Sequence, residues 1–524
     1  MTSLSSRLDG TKRMDFVSHA YDASTFSVVR LKGREALSEA YRFELILVAD
    51  DPRIDLDTLL QNTATLHILA PADASNVTPY SGMLAECAQL HQAGGYTFYR
   101  VVLVPRLSRL KQIHTSEIYL NEQTIPHIVS GLLDEGHVSG SSVDLKITGD
   151  YRPRSFICQY QETHFDFVSR WMEKEGMYYY FAQTESDDVL TIVDDRAMHD
   201  ATALPLNYRP YDELDVGLAP DSVQSFACEV RPLPATCAVQ DYNYRRASTP
   251  LNVDVPVASN GFGEVMYYGD NFRDADEGRR YANLRAQERL CGGKVFFGEG
   301  TAVGMRSGYF IELSHHYRDD FNGRYLVTEI THEGSQAGVL LAGLRTPFSE
   351  HDGRDGETAY RNTFRAIPAT VQYRAPRKTP RPVIAGLLNA TIDAEGSGQY
   401  AELDAYGQYL VQVPFDRTDK AAAKGSMRVR MATPYSGEGH GMHFPLIKNA
   451  EVLLAFVNGD PDQPVIVGAV ANSVNASVVN QANPAVNTVA THGGNQLQLN
   501  DTKGSQSVWM YSPSGNTHFI IGSK

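Results

Sequence analysis

Acidic side chains and glycines give the first candidates for chemistry in this sequence. Glu173 and Glu175 form a carboxylate pair of the kind that glycoside cleavage uses. Residues two apart on a helix do not face each other, and we expect both carboxylates near a solvated helix end, so we predict no catalysis there. The run Gly298-x-Gly300-x-x-x-Gly304 differs in spacing from a dinucleotide-binding fingerprint, and we expect it to form a loop.

Histidines and cysteines are the candidate metal ligands of this sequence. His315, His316 and His332 are the candidates, but His315 and His316 are adjacent, and neighbouring residues on a strand point to opposite faces, so these two cannot easily bind one ion. We expect structural or surface histidines. The five cysteines include no C-x-x-C pair, and their odd number does not suggest a disulfide framework.

Catalytic motifs are missing from the sequence: there is no nucleophile elbow, no P-loop and no H-E-x-x-H. We therefore predict no catalytic residue, no cofactor and no metal, and a protein that is not an enzyme.

Length and charge narrow the class of protein. At 524 residues the chain is too long for one core, so we expect three or more units. The net charge of −15 argues against a protein that grips phosphate backbones, and we predict no nucleic-acid partner. The N-terminus has no apolar stretch typical of a signal peptide, so we expect synthesis in the cytoplasm and export only by a dedicated machine.

A proline-rich basic segment divides the chain. Arg374, Arg377, Lys378 and Arg381 lie in the run YRAPRKTPRP. A nucleic-acid arm is conceivable, but no aromatic platform accompanies the charges beyond Tyr373. The segment is typical of a stiff, extended and solvated linker.

Helices and strands alternate before this linker. Capping residues predict helices over Asp55–Gln61, Thr124–Gly136 and Asp274–Leu290. A further helix is predicted to begin after Thr163 and to end at Gly176, between two strands. Its apolar face, formed by Phe165, Val168 and Met172 with Trp171 beside them, should be buried on the sheet.

After the linker, five short runs rich in aliphatic and aromatic residues predict strands, at Pro382–Leu388, Tyr409–Phe415, Met427–Met431, Glu451–Val457 and Val465–Val470. The last two are separated by Asn-Gly-Asp-Pro, where Gly459 is predicted to hold a positive φ. Five short strands in about ninety residues without a helix pattern predict a small closed barrel of the OB-fold type.

Beyond Val470 the composition becomes small, polar and rich in Asn. Composition alone leaves a disordered tail open. The alternative is a set of strands. It is indicated by alternating residues at Asn495–Asn500 and by two further short runs, Val508–Tyr511 and Phe519–Ile521.

The order of residues in the barrel region resembles the spike-base domain of the VgrG family, the proteins that tip type VI secretion systems. The matching residues are Tyr406-Gly407, Val413-Pro414-Phe415, Arg428-Val429-Arg430, Phe444-Pro445, Glu451-Val452-Leu453 and Gly459-Asp460-Pro461. Two earlier segments also resemble that family, from Gln159 to Tyr179 and from Asn322 to His332.

This resemblance implies a mainly β fold with a few helices. Residues 1–378 would form an α+β region like a phage baseplate hub, residues 379–475 the OB-fold spike base, and residues 476–524 the start of an intertwined trimeric β-prism, the needle. It also predicts candidates for the inward face of the trimer, Leu497 and Leu499 on one strand and Val508 and Met510 on another. Which side of the second strand faces inward stays open, because Trp509 and Tyr511 could point inward instead of Val508 and Met510.

The function that the resemblance implies is mechanical: a membrane-puncturing spike that delivers effectors and is secreted into the medium or a target cell. The implied partners are two further copies of the chain, the hexameric tube of hemolysin-coregulated protein, baseplate proteins, a PAAR-type tip protein, effectors and adaptor chaperones. Two alternatives remain open: a spike of a phage tail or related injection particle, and an effector-bearing spike with cell-wall hydrolase activity in a C-terminal extension. The chain ends in mid-pattern at Lys524, which suggests a shortened needle.

Overall fold

A computed structural model describes residues 8, 11–70, 77–210, 221–342, 347, 358–396, 400–417 and 424–522. The chain forms two compact units. The first, here called the hub unit, comprises Met1–Thr115, Gln123–Arg154 and Gln161–Arg381. The second, called the barrel unit, comprises Ser116–Glu122, Ser155–Tyr160 and Pro382–Lys524. The division into three regions predicted above stays a prediction.

The helices begin at the predicted capping residues. In the third helix, Thr163 Oγ1 accepts a hydrogen bond from Asp166 N at 3.0 Å, and Gly176 ends the helix with a φ of 81°. Asp55, Thr124 and Asp274 cap their helices in the same way. The helices of the described residues are α1 (Leu56–Gln61), α2 (Ile125–Glu135), α3 (His164–Glu175), α4 (Ala275–Cys291) and α5 (Ala337–Leu340).

The strands before the linker are mostly antiparallel. They are β1 (Met14–Ser18), β2 (Ser27–Ala36), β3 (Arg42–Ala49), β4 (Thr63–Leu69), β5 (Val77–Ala93), β6 (Tyr96–Val104), β7 (His114–Gln123), β8 (Val143–Lys146), β9 (Arg154–Thr163), β10 (Tyr178–Gln183), β11 (Asp188–Val193), β12 (Ala203–Tyr208), β13 (Ser222–Val230), β14 (Thr236–Asp241), β15 (Leu251–Pro256), β16 (Glu264–Tyr268), β17 (Lys294–Gly300), β18 (Phe310–Ser314), β19 (Gly323–Ser335) and β20 (Ala359–Pro368).

Twelve strands form the main sheet of the hub unit, in the order β1-β4-β5-β6-β3-β2-β19-β18-β12-β13-β17-β20. Because β19 also pairs with β20, the last six strands close into a barrel. Aromatic residues fill this barrel, with Phe226, Phe296 and Tyr325 in mutual ring contact. Two smaller three-stranded sheets, β10-β11-β8 and β15-β14-β16, complete the unit in the described residues.

The glycine run at 298–304 was predicted to be a loop, and this is wrong for its first two members. Gly298 and Gly300 lie in strand β17. A Cβ atom at Gly298 would lie 2.2 Å from the Phe364 ring, and one at Gly300 would lie 2.4 Å from the Ser222 carbonyl oxygen. The glycines therefore let neighbouring strands and a core ring approach closely.

Helix α3 is buried as predicted, but against other partners. Val168, Trp171 and Met172 are buried, whereas Phe167 replaces the predicted Phe165 in the core. The prediction that this face packs on the sheet is wrong. Helix α3 packs mainly on α2, α4 and the short 3-10 helix Arg106–Gln112. Charged side chains reach α3 both from α4, through Arg280, and from strand β9, through Arg154 and Glu162.

The barrel unit contains short strands and a separate tail sheet. Its remaining strands are β21 (Leu388–Asp393), β22 (Leu410–Gln412), β23 (Arg430–Met431), β24 (Ser436–Gly437), β25 (His440–Gly441), β26 (Glu451–Phe456), β27 (Pro464–Ala469), β28 (Val486–Ala490), β29 (Gln496–Asn500), β30 (Ser507–Ser512) and β31 (Thr517–Gly522).

Five of these strands close into the predicted barrel. They follow the order β22-β21-β26-β27-β23, and a bridge between Tyr409 and Val429 joins the two ends. The turn between β26 and β27 is also confirmed, since Gly459 has a φ of 68°. The first strand, predicted at Pro382–Leu388, is wrong in its position: it begins at Leu388, after the proline-containing stretch that cannot donate every ladder bond.

Part of the barrel core comes from a distant part of the sequence. Strands β7 and β9 pair with each other, and residues 116–122 and 155–160 within them belong to the barrel unit. Ile118 and Phe156 pack in one cluster with Tyr409 and Val452. The Cys158 amide also donates to the Asp462 carboxylate at 2.7 Å.

Candidate oligomerisation surface

The tail forms an ordered sheet in the described residues. Strands β28, β29, β30 and β31 follow one another in antiparallel order. Short turns join them, and Gly494, Gly504 and Gly515 take positive φ values close to these turns. Of the two interpretations that composition left open, strands are therefore confirmed here.

The strand register shows which side chains of β30 share a face with Leu497 and Leu499, a point that the sequence left open. Leu497 lies opposite Met510, and Leu499 lies opposite Val508. Directly opposed residues of an antiparallel pair share a face, so the four predicted residues lie on one face of the sheet. Trp509 lies opposite Gln498 and is on the other face.

The same register extends this face across all four strands. Val489 lies opposite Leu497, Phe519 opposite Met510, and Ile521 opposite Val508. These pairs form two rows of opposed residues across the four strands. Asn487, opposite Leu499, is the one polar residue in the two rows. The set, here called the apolar tail face, consists of Val489, Leu497, Leu499, Val508, Met510, Phe519 and Ile521.

The apolar tail face is open to water in the single chain. Phe519 and Ile521 are each 57% exposed, Met510 is 50% exposed and Leu499 is 43% exposed. A contiguous exposed apolar surface rimmed by polar residues is typical of a protein–protein contact. Burial of such side chains contributes roughly 1.5–3 kcal/mol each.

The opposite face has a different chemistry. The Trp509 ring stacks on the rings of Tyr511 and His518, and Trp509 Nε1 donates to His518 Nδ1 at 3.0 Å. Gln498 Nε2 donates to Gln496 Oε1 at 2.9 Å on the same face. These polar groups already have partners or can bond to water, so this face is suited to solvent.

Exposed apolar residues concentrate in the barrel unit. Of the 29 large hydrophobic residues exposed in the described part of the chain, 19 lie between Val383 and Ile521. The barrel unit is the smaller of the two units. The exposed apolar surface of the described residues is therefore concentrated in this part of the protein.

The carboxylate pair considered as a catalytic site does not converge on one point. The prediction that both lie at a solvated helix end is wrong, since Glu173 and Glu175 are each only 4% exposed. Glu175 contacts Arg154, Arg280 and Tyr281, whose hydroxyl donates to it at 2.8 Å. Burial raises the pKa of the Glu175 carboxyl, but the charges of Arg154 and Arg280 outweigh it and lower the pKa to about 2.

Glu173 binds the linker instead. Its carboxylate accepts from Thr379 Oγ1 at 2.7 Å and from the amides of Thr379 and Lys378 at 3.1 and 3.2 Å. Burial raises the pKa of this carboxyl. The two carboxylates thus have separate structural partners, which is an arrangement for anchoring and not for shared proton transfer.

The linker is not the solvated segment that its composition predicted. Arg377 forms a two-bond pair with Asp270 at 2.7 and 3.1 Å, and Arg374 is buried and donates to the Gly176 carbonyl at 2.6 Å. Lys378 pairs with Glu39. The basic run is therefore held by acidic and carbonyl groups of the hub unit.

The candidate histidines have the expected structural roles. His316 is buried and His315 is exposed, but neither lies on a strand as predicted, because β18 ends at Ser314 and His315 has a φ of 65°. His332 lies in a buried network between Tyr360 and Glu35, at 2.7 and 3.2 Å. No local pattern pointed to Glu35, which lies 297 positions away on the neighbouring strand β2. Among the described residues, no group of three His, Cys, Asp or Glu side chains is placed to hold a metal ion.

The described residues also contain no helix that is both long and apolar enough to cross a membrane. The described residues thus combine a large β unit, a closed five-stranded barrel and an exposed apolar sheet. The family model "Phage tail baseplate hub (GPD)" matches residues 34–338, and "Type VI secretion system/phage-baseplate injector OB domain" matches residues 403–470. The chain belongs to the phage tail baseplate hub family.

Curated relatives agree with the predicted resemblance to VgrG proteins. The type VI secretion system spike protein VgrG5 of Pseudomonas aeruginosa is 29% identical over 93% of this chain and 62% of its own length. VgrG4b of the same organism is 27% identical over 93% of this chain and 60% of its own length. The actin cross-linking toxin VgrG1 of Vibrio cholerae is 26% identical over 93% of this chain and 45% of its own length. The chain thus spans about three fifths or less of these relatives.

Solved structures confirm the fold. The E. coli c3393 protein, described as a type VI secretion component similar to the T4 tail proteins gp27 and gp5, superposes with a TM-score of 0.61 at 22% identity, covering 87% of this chain and all of that one. A chain of a PdpA–VgrG complex superposes with a TM-score of 0.62 at 10% identity, covering 98% of each chain. At these identities the likeness concerns the fold alone.

Proposed function

We propose that this protein is the spike of a type VI secretion apparatus and that it works as a trimer. The observation that carries the proposal is the apolar tail face, seven large apolar side chains on one side of an antiparallel sheet, six of them more than a third exposed. The relatives named as type VI spike proteins support the same role.

Three copies around one axis suit this sheet physically. The outer strands β28 and β31 have unpaired edges in the described part of the chain, and open edges of this kind favour pairing with another chain. Three sheets that turn their apolar faces toward one axis would bury those faces and leave the stacked Trp509, Tyr511 and His518 outside. A ring with closed rotational symmetry also stops at a fixed number of copies, whereas open strand edges alone would let further chains add.

The work of such a trimer is mechanical. The protein would be secreted by the apparatus, with the hemolysin-coregulated protein tube behind it and a PAAR-type tip, effectors, adaptor chaperones and baseplate proteins as further partners. No catalytic role is needed, because puncturing depends on rigidity and shape. The spike relatives support this, while the toxin named among the relatives is more than twice as long as the matched region.

The trimer can be tested by sedimentation with matched variants. The full chain should sediment at three times its chain mass of 57.9 kDa. Met510→Ser with Phe519→Ser removes two neighbours of the apolar tail face and should shift the protein to monomer at micromolar concentration. Ile520→Ser is the control, because Ile520 is 37% exposed but lies opposite Trp509 on the other face.

A trimer for the control and for the double variant alike would contradict the assignment of this face. A monomeric wild-type chain would contradict the proposed assembly itself. A phage-tail or related injection particle is the second candidate, favoured by the phage baseplate description of both family models. Release of the chain into the medium only from cells with an intact type VI apparatus would separate the two.

A further inference from the structure

The barrel unit has a second exposed apolar feature that the tail does not account for. The connection between β23 and β26 projects as a small hairpin, in which β24 and β25 pair through Ser436–Gly441 and Gly437–His440. Twelve consecutive residues, 434–445, are exposed. Tyr435 is 59% exposed, Met442 is 46% exposed and Phe444 is 51% exposed. We call residues 432–446 the barrel hairpin.

The barrel hairpin holds a defined conformation although it buries little. The Met442 amide donates to the Tyr435 carbonyl at 2.9 Å, and the Tyr435 and His440 rings lie 5.1 Å apart. Gly439 at the tip has a φ of 70°. A Cβ atom at Gly437 would lie 2.4 Å from His440 Nε2, so the glycine leaves room for the His440 ring to lie over the hairpin.

The base of the hairpin is fixed to the barrel core. Tyr409 is fully buried, and its hydroxyl accepts from the Leu446 amide at 3.1 Å and bonds with His443 at 3.3 Å. The His443 and Tyr409 rings are nearly parallel. The hairpin is thus a preformed projection on a rigid base, and such preorganisation lowers the entropic cost of binding.

Its position in the barrel unit connects it with the tail. Ile447, next to the hairpin, forms a bridge with Tyr400, and the Tyr400 ring lies 6.1 Å from the ring of His492, between β28 and β29. The hairpin, Tyr400 and the tail are therefore neighbours on one continuous part of this unit. The hairpin itself carries one acidic residue, Glu438, and no Lys or Arg, so its partner is expected to be apolar.

We infer that the barrel hairpin is an inter-chain clamp, whose side chains Tyr435, Met442 and Phe444 pack on the barrel unit of a second copy of this chain. The inference rests on the proposed trimer, since it places the occupant in the same three-fold assembly as the apolar tail face. A second copy fits because exposed apolar residues concentrate in this unit and would be brought together by the tail. Each copy would give one hairpin and receive one, which is how head-to-tail contacts close a ring.

Photo-crosslinking gives the direct test. A benzoylphenylalanine in place of Tyr435 in the full-length purified chain should, on irradiation, yield covalent dimers and trimers. The same probe in place of Tyr317, which is 77% exposed in the hub unit, is the matched control and should yield far fewer. Peptide mapping of the dimer should place the crosslink in residues 382–522 of the second copy.

A second measurement uses substitution. The triple variant Tyr435→Ser, Met442→Ser and Phe444→Ser should keep its fold, because the three side chains are exposed in the single chain, and should raise the trimer dissociation constant about tenfold or more. If the wild-type chain is a trimer but the probe gives no inter-chain product and the triple variant dissociates like wild type, the clamp is refuted and the tail assembly stands. If the wild-type chain is a monomer, both the clamp and the proposed function are refuted.

Discussion

Trp171 gives the strongest stability prediction for the hub unit. Its ring is 1% exposed and is among the largest fully buried side chains. Lys174 Nζ lies 4.6 Å from the ring centroid, and the guanidinium carbons of Arg154 and Arg170 lie 5.3 and 5.5 Å from it. Trp171→Ala would leave a cavity and remove three cation–π contacts. We expect the free energy of unfolding of the hub unit to fall by about 3–5 kcal/mol.

Trp171→Phe is the matched control. Among the described residues, none accepts a hydrogen bond from the buried Trp171 Nε1. A phenyl ring keeps an aromatic face for the cations and removes this unsatisfied donor, whose burial costs about 1–3 kcal/mol. The smaller ring loses part of the packing, so we expect a net loss well below half of that for Trp171→Ala.

The assay uses the fact that the chain has only two tryptophans, one in each unit. In a Trp509→Phe background, Trp171 fluorescence reports the unfolding of the hub unit in urea, and far-ultraviolet circular dichroism follows the variants that lack Trp171. If Trp171→Ala changes the unfolding free energy by less than about 1 kcal/mol, which is the effect of an ordinary surface substitution, the packing account of α3 is refuted.

Three further predictions concern other sites. Gly459→Val should destabilise the barrel unit by about 1–3 kcal/mol, because φ is 68° and the new Cβ would lie 2.6 Å from Val383 Cγ1, whereas Gly468→Val should be nearly neutral. Glu175 has a folded pKa of about 2, below its usual value, so its stabilisation is complete above about pH 4.5 and is lost as the pH falls toward 2. Glu175→Gln should therefore cost about 3 kcal/mol at pH 7 and flatten the acid limb of the stability profile. A fragment of residues 382–522 should fail to unfold cooperatively, because it lacks the core residues of β7 and β9.

For each of these predictions, one outcome would contradict it. Equal thermal stability of the two glycine variants would remove the strain argument. An unchanged acid limb in Glu175→Gln would mean that another carboxyl controls acid unfolding. A cooperative, native-like fragment 382–522 would show that the barrel core is complete without the two distant strands. Thermal unfolding at several pH values and one-dimensional NMR of the fragment are the measurements.

Local signals in the sequence predicted local structure well. Capping residues such as Thr163 and Asp274 predicted helix starts, since their bonds reach only three residues along the chain. The positive φ of Gly459 followed from its turn sequence. Alternation along a single strand could not show whether Val508 and Met510 or Trp509 and Tyr511 share the face of Leu497 and Leu499, because that depends on the register between strands. The pairing of Leu497 with Met510 places the first pair on this face, and its position at a trimer axis stays a prediction.

Features fixed by distant partners could not be predicted in this way. Glu175 is a poor candidate for burial until Arg280, 105 positions away, is placed beside it. The linker looked solvated because Asp270, the partner of Arg377, lies 107 positions before it. The contribution of β7 and β9 to the barrel core was missed for the same reason: their apolar residues gave no sign of which unit they would join.

We expect three copies of this chain to assemble through the tail. Electron microscopy of the purified full-length protein tests it most directly. The images should show a tapered particle with three-fold symmetry, in which the apolar tail faces meet at the axis and the Trp509 faces point outward. Single chains at micromolar concentration, or a three-fold particle whose tail sheet is disordered or turns Trp509 toward the axis, would contradict it.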